Sequence, residues 1–276
     1  QFDALEEPSN AIVIDAAATP DVIVERIVRQ LSLVVRVHVL ADVDALSAQA
    51  AAAAVDIINA AVAAHGRCSL ALSGGETPRG MYRLLGTQFR AQVPWAQVHV
   101  FWGDDRYVPA DHPESNYRMA RETLLDHVPC PASNIHAMPT HLSPAADAAA
   151  MYEKVLREFF GDGDGPAFDL NILGIGEDGH TASVFPGTPA VDEQERWVVA
   201  AHTDATPQWR LTLTLSALCR STNIYFLVAG ATKASALRHA LAADSDPHVY
   251  PAAGIRPTTG TVVWWVDSAS AQSRRG

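Results

Sequence analysis

Short apolar, β-branched runs alternate with helical patterns along almost the whole chain. Strand-like runs fall at residues 35–40, 68–72, 98–102, 168–173, 198–201, 210–215, 224–228 and 262–266. Helical patterns occupy about 43–64, 78–90, 115–127, 145–160 and 231–242, the first dense in alanine and therefore strong in helix propensity. Such alternation predicts an α/β fold: a mostly parallel, open, Rossmann-like sheet with helices on both faces. The 276 residues suit one large unit of this kind, and 48% hydrophobic content supplies its core.

Residues 161–166, Gly-Asp-Gly-Asp-Gly-Pro, read as an acidic, solvated connector ahead of a central strand. Residues 1–33 stand apart. Ala11-Ile12-Val13-Ile14-Asp15 reads as a strand, and Thr19-Pro20-Asp21 opens a helix running to about Leu33. This pair resembles the tail of P-loop sugar kinases such as gluconate kinases, without a phosphate-binding loop. The expected organisation is a strand–helix extension at 1–33 and a main domain at 34–276. The extension either packs on the main domain or is the remnant of a fused sugar-kinase module. The first residue is Gln rather than Met, which fits processing or a longer polypeptide.

The formal net charge is −11, with no basic cluster to interrupt it. Nucleic acid is therefore not an expected partner. An anionic substrate would need a local basic pocket set against the global field. No apolar run reads as a membrane span and no signal peptide opens the chain. Cys68, Cys130 and Cys219 form no C-x-x-C pair; the sparse, odd count fits a reducing compartment, and a cytoplasmic location is expected.

Three strand ends carry chemistry-bearing residues. The first reads Ser73-Gly74-Gly75-Glu76-Thr77-Pro78. Thr77 is the expected N-cap and Pro78 the first helical residue, and two glycines ahead of a helix let backbone amides converge on an anion. No Gly-Lys-Ser/Thr follows, so this is not a Walker A loop. The second reads Gly103-Asp104-Asp105-Arg106, with Ser115-Asn116-Tyr117-Arg118 after it. Its charges either satisfy one another or serve a reaction: Arg106 on a developing oxyanion, Asp104 on a sugar hydroxyl or a water. Ser115 reads as a helix cap, while Asn116 and Arg118 are candidates to face a cleft.

The third reads Gly174-Ile-Gly176-Glu-Asp178-Gly179-His180-Thr-Ala-Ser-Val-Phe185. Histidine takes up and returns a proton near neutral pH, and Asp178 stands one residue away from it. The glycine spacing also satisfies G-x-G-x-x-G, but Pro186 and Pro189 arrive too soon for the long helix of a dinucleotide site. Arg210 and Lys233 add two cations on strand–helix margins, able to join the 73–77 amides around one phosphate. Asp178 and His180 make only two metal ligands, so neither a metal nor a cofactor is expected.

In order, Ser73-Gly74-Gly75-x-Thr77-Pro78, Gly103-Asp104-x-Arg106, Ser115-Asn116, Gly174-x-Gly176-x-Asp178-Gly179-His180-Thr-Ala-Ser183-x-Phe185-Pro186, Arg210-x-Thr212-x-Thr214, Gly230-x-x-Lys233 and Trp265-Val266-Asp267 span nearly all of the chain after the extension. This set resembles the glucosamine-6-phosphate isomerase/6-phosphogluconolactonase superfamily, on its lactonase branch. The resemblance implies hydrolysis of 6-phospho-D-glucono-1,5-lactone in the pentose phosphate pathway. It implies His180 as the catalytic histidine with Asp178 beside it, and Arg106 at the site margin. The 73–77 loop, Arg210 and Lys233 would hold the phosphate. Two positions depart from the pattern: Glu76, expected to face away from the phosphate, and Asp105, where glutamate is usual and a surface contact is expected to change.

Deaminating isomerases of the superfamily carry Phe-Asn-Glu-Pro after their histidine. Here Ser183-Val184-Phe185-Pro186 lacks that glutamate, which disfavours isomerase chemistry. A sugar-phosphate sensor without catalysis is the third alternative, but residues 1–33 supply too few elements and too little positive charge for a DNA-reading module.

Overall fold

The computed structural model describes residues 33–272; the strand–helix extension and its kinase-like pattern lie outside them, apart from Leu33. In chain order the strands are β1 (Leu33–Leu40), β2 (Cys68–Leu72), β3 (Val98–Trp102), β4 (Asp104–Arg106), β5 (Leu170–Leu173), β6 (Val198–His202), β7 (Trp209–Leu213), β8 (Asn223–Val228) and β9 (Gly260–Asp267). The α-helices are α1 (Val43–His65), α2 (Glu76–Gly86), α3 (Asn116–Thr123), α4 (Ala145–Phe160), α5 (Leu215–Leu218), α6 (Ala234–Leu241) and α7 (Ser268–Ala271).

Six strands form the main sheet in the order β1-β9-β8-β5-β2-β3, every neighbouring pair parallel. Central strands β2 and β5 are buried at every position, as expected for a sheet covered on both faces. From β2 the chain moves outward to β3, whereas from β5 it moves the other way, to β8 and β9. The loops after β2 and β5 therefore part and leave a crevice at the carboxyl ends of the strands.

A second, antiparallel sheet of order β4-β7-β6 stands beside the first. The mostly parallel sheet expected from the sequence holds, but the runs near 200 and 211 belong to this smaller sheet. The physical reason is their spacing. Only six residues separate His202 from Trp209, too few for a crossover between parallel strands but enough for an antiparallel return.

Helix α1 begins where the Asp42 side chain accepts a hydrogen bond from Ala45 N at 2.8 Å and ends at Gly66, whose φ of 80° closes the last turn. Leu46, Ala50, Ala54 and Ile58 recur every fourth residue along its buried stripe. The expectation that no segment suits a membrane needs correction: α1 is long and apolar enough by length and composition. Its alanines raise the hydropathy without forming a run of large side chains, and the stripe belongs to the hydrophobic core. In that core, Phe226 of β8 stacks on Trp264 of β9 at 3.8 Å between ring centroids.

Candidate active site

A cleft of about 400 Å³ opens at the carboxyl ends of β2, β3, β5 and β8. Its walls come from the 73–77 loop, Asp104 with Arg106 and Asn116, the turn carrying His180, and Lys233. Strand ends thus bring together residues separated by as many as 160 positions in sequence.

The 73–77 loop leaves β2 and turns at Gly75, whose φ of 95° lies in the left-handed region. Helix α2 starts at Glu76, with Gly75 as its N-cap and no side-chain cap. This corrects the expectation for Thr77: the glycine turns the chain two residues early, so Thr77 and Pro78 sit inside the first helical turn, where a missing proline N–H costs little. Tyr82 of α2 clamps the loop from behind, its hydroxyl accepting from Ser73 N and donating to Ser73 O, both at 3.0 Å. Ser73 Oγ lines the cleft, buried and without a hydrogen-bond partner, as a group awaiting a ligand would be. Glu76 reaches the cleft rim, but its carboxylate pairs with Arg79 Nε at 3.0 Å and is otherwise solvent-exposed.

In the glycine turn after β5, His180 Nδ1 meets Asp178 Oδ1 at 2.6 Å, and the same oxygen accepts His180 N at 3.1 Å. Phe185 packs beside the imidazole, 4.4 Å between centroids. Asp178 thereby holds the ring at Nδ1 while Phe185 packs beside it. Burial pushes the Asp178 carboxyl up, but the hydrogen bond and charge of His180 outweigh that and hold it below its ordinary value. With Nδ1 engaged, Nε2 is the nitrogen left for a proton transfer. Gly176 is required here because the dyad packs directly over its α-carbon. The relative closeness of the two aspartates to His180 is thus decided: Asp178 contacts it, whereas Asp104 is engaged elsewhere.

Asp104 accepts Ser183 Oγ at 2.6 Å and Asn116 Nδ2 at 3.2 Å. Asn116 in turn accepts from Arg106 Nη1 and donates to Asp104 O at 2.9 Å. Arg118, by contrast, turns to Glu122 and Asp111 O. Asp105 is not a surface residue, contrary to the sequence expectation. It is 2% exposed and accepts from three backbone amides. Burial pushes its carboxyl up to about 7, against the pull of those amides.

Lys233 lies at the cleft on a 3₁₀ turn after β8. Asp267, at the end of β9, holds that turn by accepting from Gly230 N at 3.0 Å. Arg210 does not line the cleft. It is 5% exposed, faces Arg106 in register across the β4–β7 pair, and donates to Pro207 O. Burial first, and the neighbouring Arg106 charge second, lower its proton affinity. Ser183 and Asp267 carry roles that the sequence reading did not assign. Both had stood inside recognised runs, but nothing in one strand reveals what a neighbouring loop will offer as a partner. Among the described residues, no cluster of three or more metal-ligating side chains is present.

Fold and cleft together define an open α/β protein with a polar pocket at a sheet's switch point. The chain belongs to the family of glucosamine-6-phosphate isomerases/6-phosphogluconolactonases, whose profile matches residues 41–264. The 6-phosphogluconolactonase of Synechocystis sp. is 45% identical over 220 residues, covering 79% of this chain and 89% of that one. That of Mycobacterium tuberculosis is 41% identical over 241 residues, covering 85% and 96%. The solved structure of 6-phosphogluconolactonase from Trypanosoma brucei is similar with a TM-score of 0.75 at 31% identity, covering 86% of this chain and 97% of that one.

Proposed function

We propose that the chain hydrolyses 6-phospho-D-glucono-1,5-lactone to 6-phospho-D-gluconate, the lactone step of the oxidative pentose phosphate pathway. One observation carries the reading: His180, oriented by Asp178, lines the same cleft as the 73–77 loop and Lys233. A cleft of about 400 Å³ falls in the size range of small-molecule sites.

In this reading the amides of residues 74–77, Ser73 Oγ and Lys233 take the phosphate. The Ser73 amide is not part of the set, because Tyr82 already occupies it. Asp178 holds the Nδ1–H of His180, so Nε2 removes a proton from water as that water attacks C1. The carbonyl oxygen becomes an oxyanion, stabilised by Arg106. Collapse breaks the bond from C1 to the ring oxygen, and the imidazolium returns its proton to that oxygen, leaving a hydroxyl and a carboxylic acid, which then loses its proton to solvent. Asn116 and Asp104 contact sugar hydroxyls, and Arg210 supports Arg106 from behind through the field of a second cation. No G-x-S-x-G elbow is present for an acyl-serine route, and neither metal nor organic cofactor enters these steps. We assign the reaction to the cytoplasm, in keeping with a sparse, odd set of three cysteines without a C-x-x-C pair.

The experiment is decay of freshly made 6-phosphogluconolactone against its spontaneous background. The phosphate-free lactone and ammonia release from glucosamine 6-phosphate serve as controls. Acceleration of the phosphorylated lactone alone is expected; ammonia release without lactone hydrolysis would move the chain to the isomerase branch.

A further inference from the structure

We propose that Asp105 is a positioning residue for this lactonase site: its buried carboxylate sets Arg106 and Asn116 against the cleft wall by holding the backbone of both. The inference rests on the function proposed above.

The carboxylate joins two segments that the chain itself leaves ten residues apart. Asp105 Oδ1 accepts Arg106 N at 2.8 Å, on β4, and Asn116 N at 2.6 Å, the first residue of α3. Asp105 Oδ2 accepts Tyr117 N at 3.1 Å and lies 3.4 Å from Ser115 Oγ. Ser115 Oγ is occupied in its own right, capping α3 by accepting Arg118 N at 3.2 Å. One carboxyl group therefore satisfies the first two amides of the helix at its electropositive end and the amide of the cleft arginine.

The consequence reaches the cleft through short, direct links. With both backbones held, the Arg106 guanidinium meets Asn116 Oδ1, and Asn116 Nδ2 reaches Asp104 O and Oδ1. Gly74 closes the arrangement: a methyl group there would run into the Asn116 side chain. The residue that fixes Arg106 and Asn116 thus also fixes the wall against which the 73–77 loop packs. Asp105 itself does not line the cleft and touches no substrate.

The test is a double-mutant cycle on lactone hydrolysis. Asp105→Asn keeps one oxygen for the Arg106 and Asn116 amides but turns an N–H₂ group on Tyr117 N. Asp105→Glu is the conservative variant, restoring a carboxylate on a stem one methylene longer. The expected loss in kcat/KM for Asp105→Asn is about 10- to 100-fold, the scale of a misplaced catalytic group, with recovery to within about threefold in Asp105→Glu. In an Arg106→Ala, Asn116→Ala background, Asp105→Asn should cost less than about twofold, because its targets are gone.

Equal losses in both backgrounds would mean that Asp105 serves the fold alone, and would overturn the proposal. So would unchanged kcat/KM in a folded Asp105→Asn enzyme. A wild-type enzyme with no activity above the spontaneous background refutes the function first and this inference with it; an active wild type with additive losses refutes the inference alone. Should Asp105→Asn fail to fold, Asp105→Ser, a smaller side chain with a single oxygen, carries the same cycle with the same expected and overturning outcomes.

Discussion

Gly176→Ala offers the sharpest test of the dyad, because the substitution adds one methyl group where the structure has none to spare. Gly176 has an ordinary negative-φ backbone, so alanine brings no conformational strain of its own. A β-carbon built there would lie 2.1 Å from His180 Nδ1, against the 3.4 Å at which ordinary contact begins. Relief requires the imidazole to retreat by roughly 1 Å, and displacement of a reacting group on that scale costs about 100-fold in rate. That loss corresponds to about 2.7 kcal/mol of barrier. The phosphate cradle stands on other elements, so KM should stay within about twofold.

The assay is the initial rate of 6-phosphogluconolactone hydrolysis, corrected for spontaneous decay, over a range of substrate concentrations. Thermal unfolding runs alongside, since overpacking itself costs about 1–3 kcal/mol of stability. A folded variant with kcat within threefold of wild type would refute the reasoning. So would a variant whose KM rises while kcat stays fixed, since the methyl group would then have perturbed binding and not proton transfer. Gly74→Ala supplies the contrast: its methyl group meets Asn116, and KM should bear the larger change.

His180→Ala should lower kcat by about 10²- to 10⁴-fold, the usual worth of a general base, while circular dichroism stays native; near-native turnover would remove His180 from the mechanism. Lys233→Ala should raise KM at least tenfold for the phosphorylated lactone and leave phosphate-free lactone unaffected, whereas Arg210→Ala, behind the cleft wall, should lower kcat more than it raises KM; steady-state kinetics on both lactones separates the two. Asp105 holds its proton to about pH 7 in the fold, against 3.8 for the ordinary side chain. The native state therefore binds more protons than the unfolded state across that window, and stability should fall as pH rises through it and level off above. Melting temperatures from pH 4.5 to 8 should show that slope in wild type and lose it in Asp105→Asn; parallel profiles would rule it out.

Much of this architecture was legible in the sequence. The runs at 68–72 and 98–102 and the helix at 145–160 coincide with β2, β3 and α4 end to end, because short apolar runs that stop at a polar residue or glycine and a glycine-terminated amphipathic helix carry their own boundaries. Asp178, beside His180, was legible because two residues across one glycine turn can hardly avoid each other. Less legible was anything that depends on a partner from another strand. Asp105 read as a surface charge because neighbouring acidic and basic residues usually are; its burial arises from α3 folding back over β4, a contact no local pattern encodes. Arg210 read as a phosphate ligand from its place beside a strand, yet it is buried in the antiparallel pair with β4, donates to Pro207 O and does not line the cleft. Thr77 looked like the better cap, but a left-handed glycine two residues upstream starts the helix sooner.

The small antiparallel sheet explains how an acidic chain can bring an arginine to its cleft. A parallel sheet presents only the loops at its strand ends, and each loop can place a residue or two. By leaving β3 through Gly103 into β4, the chain gains a second layer whose first strand stands against the crevice, and β7 backs that strand with Arg210. Arg106 lines the cleft, and the buried Arg210 stands beside it in register without lining it. Two guanidinium groups in register would repel one another in isolation; here Asp104 and Asp105, on the same short strand, offset that cost. Arg106 and Lys233 thus stand in one cleft while the formal charge of the chain remains −11, so a phosphorylated anion meets its cations locally.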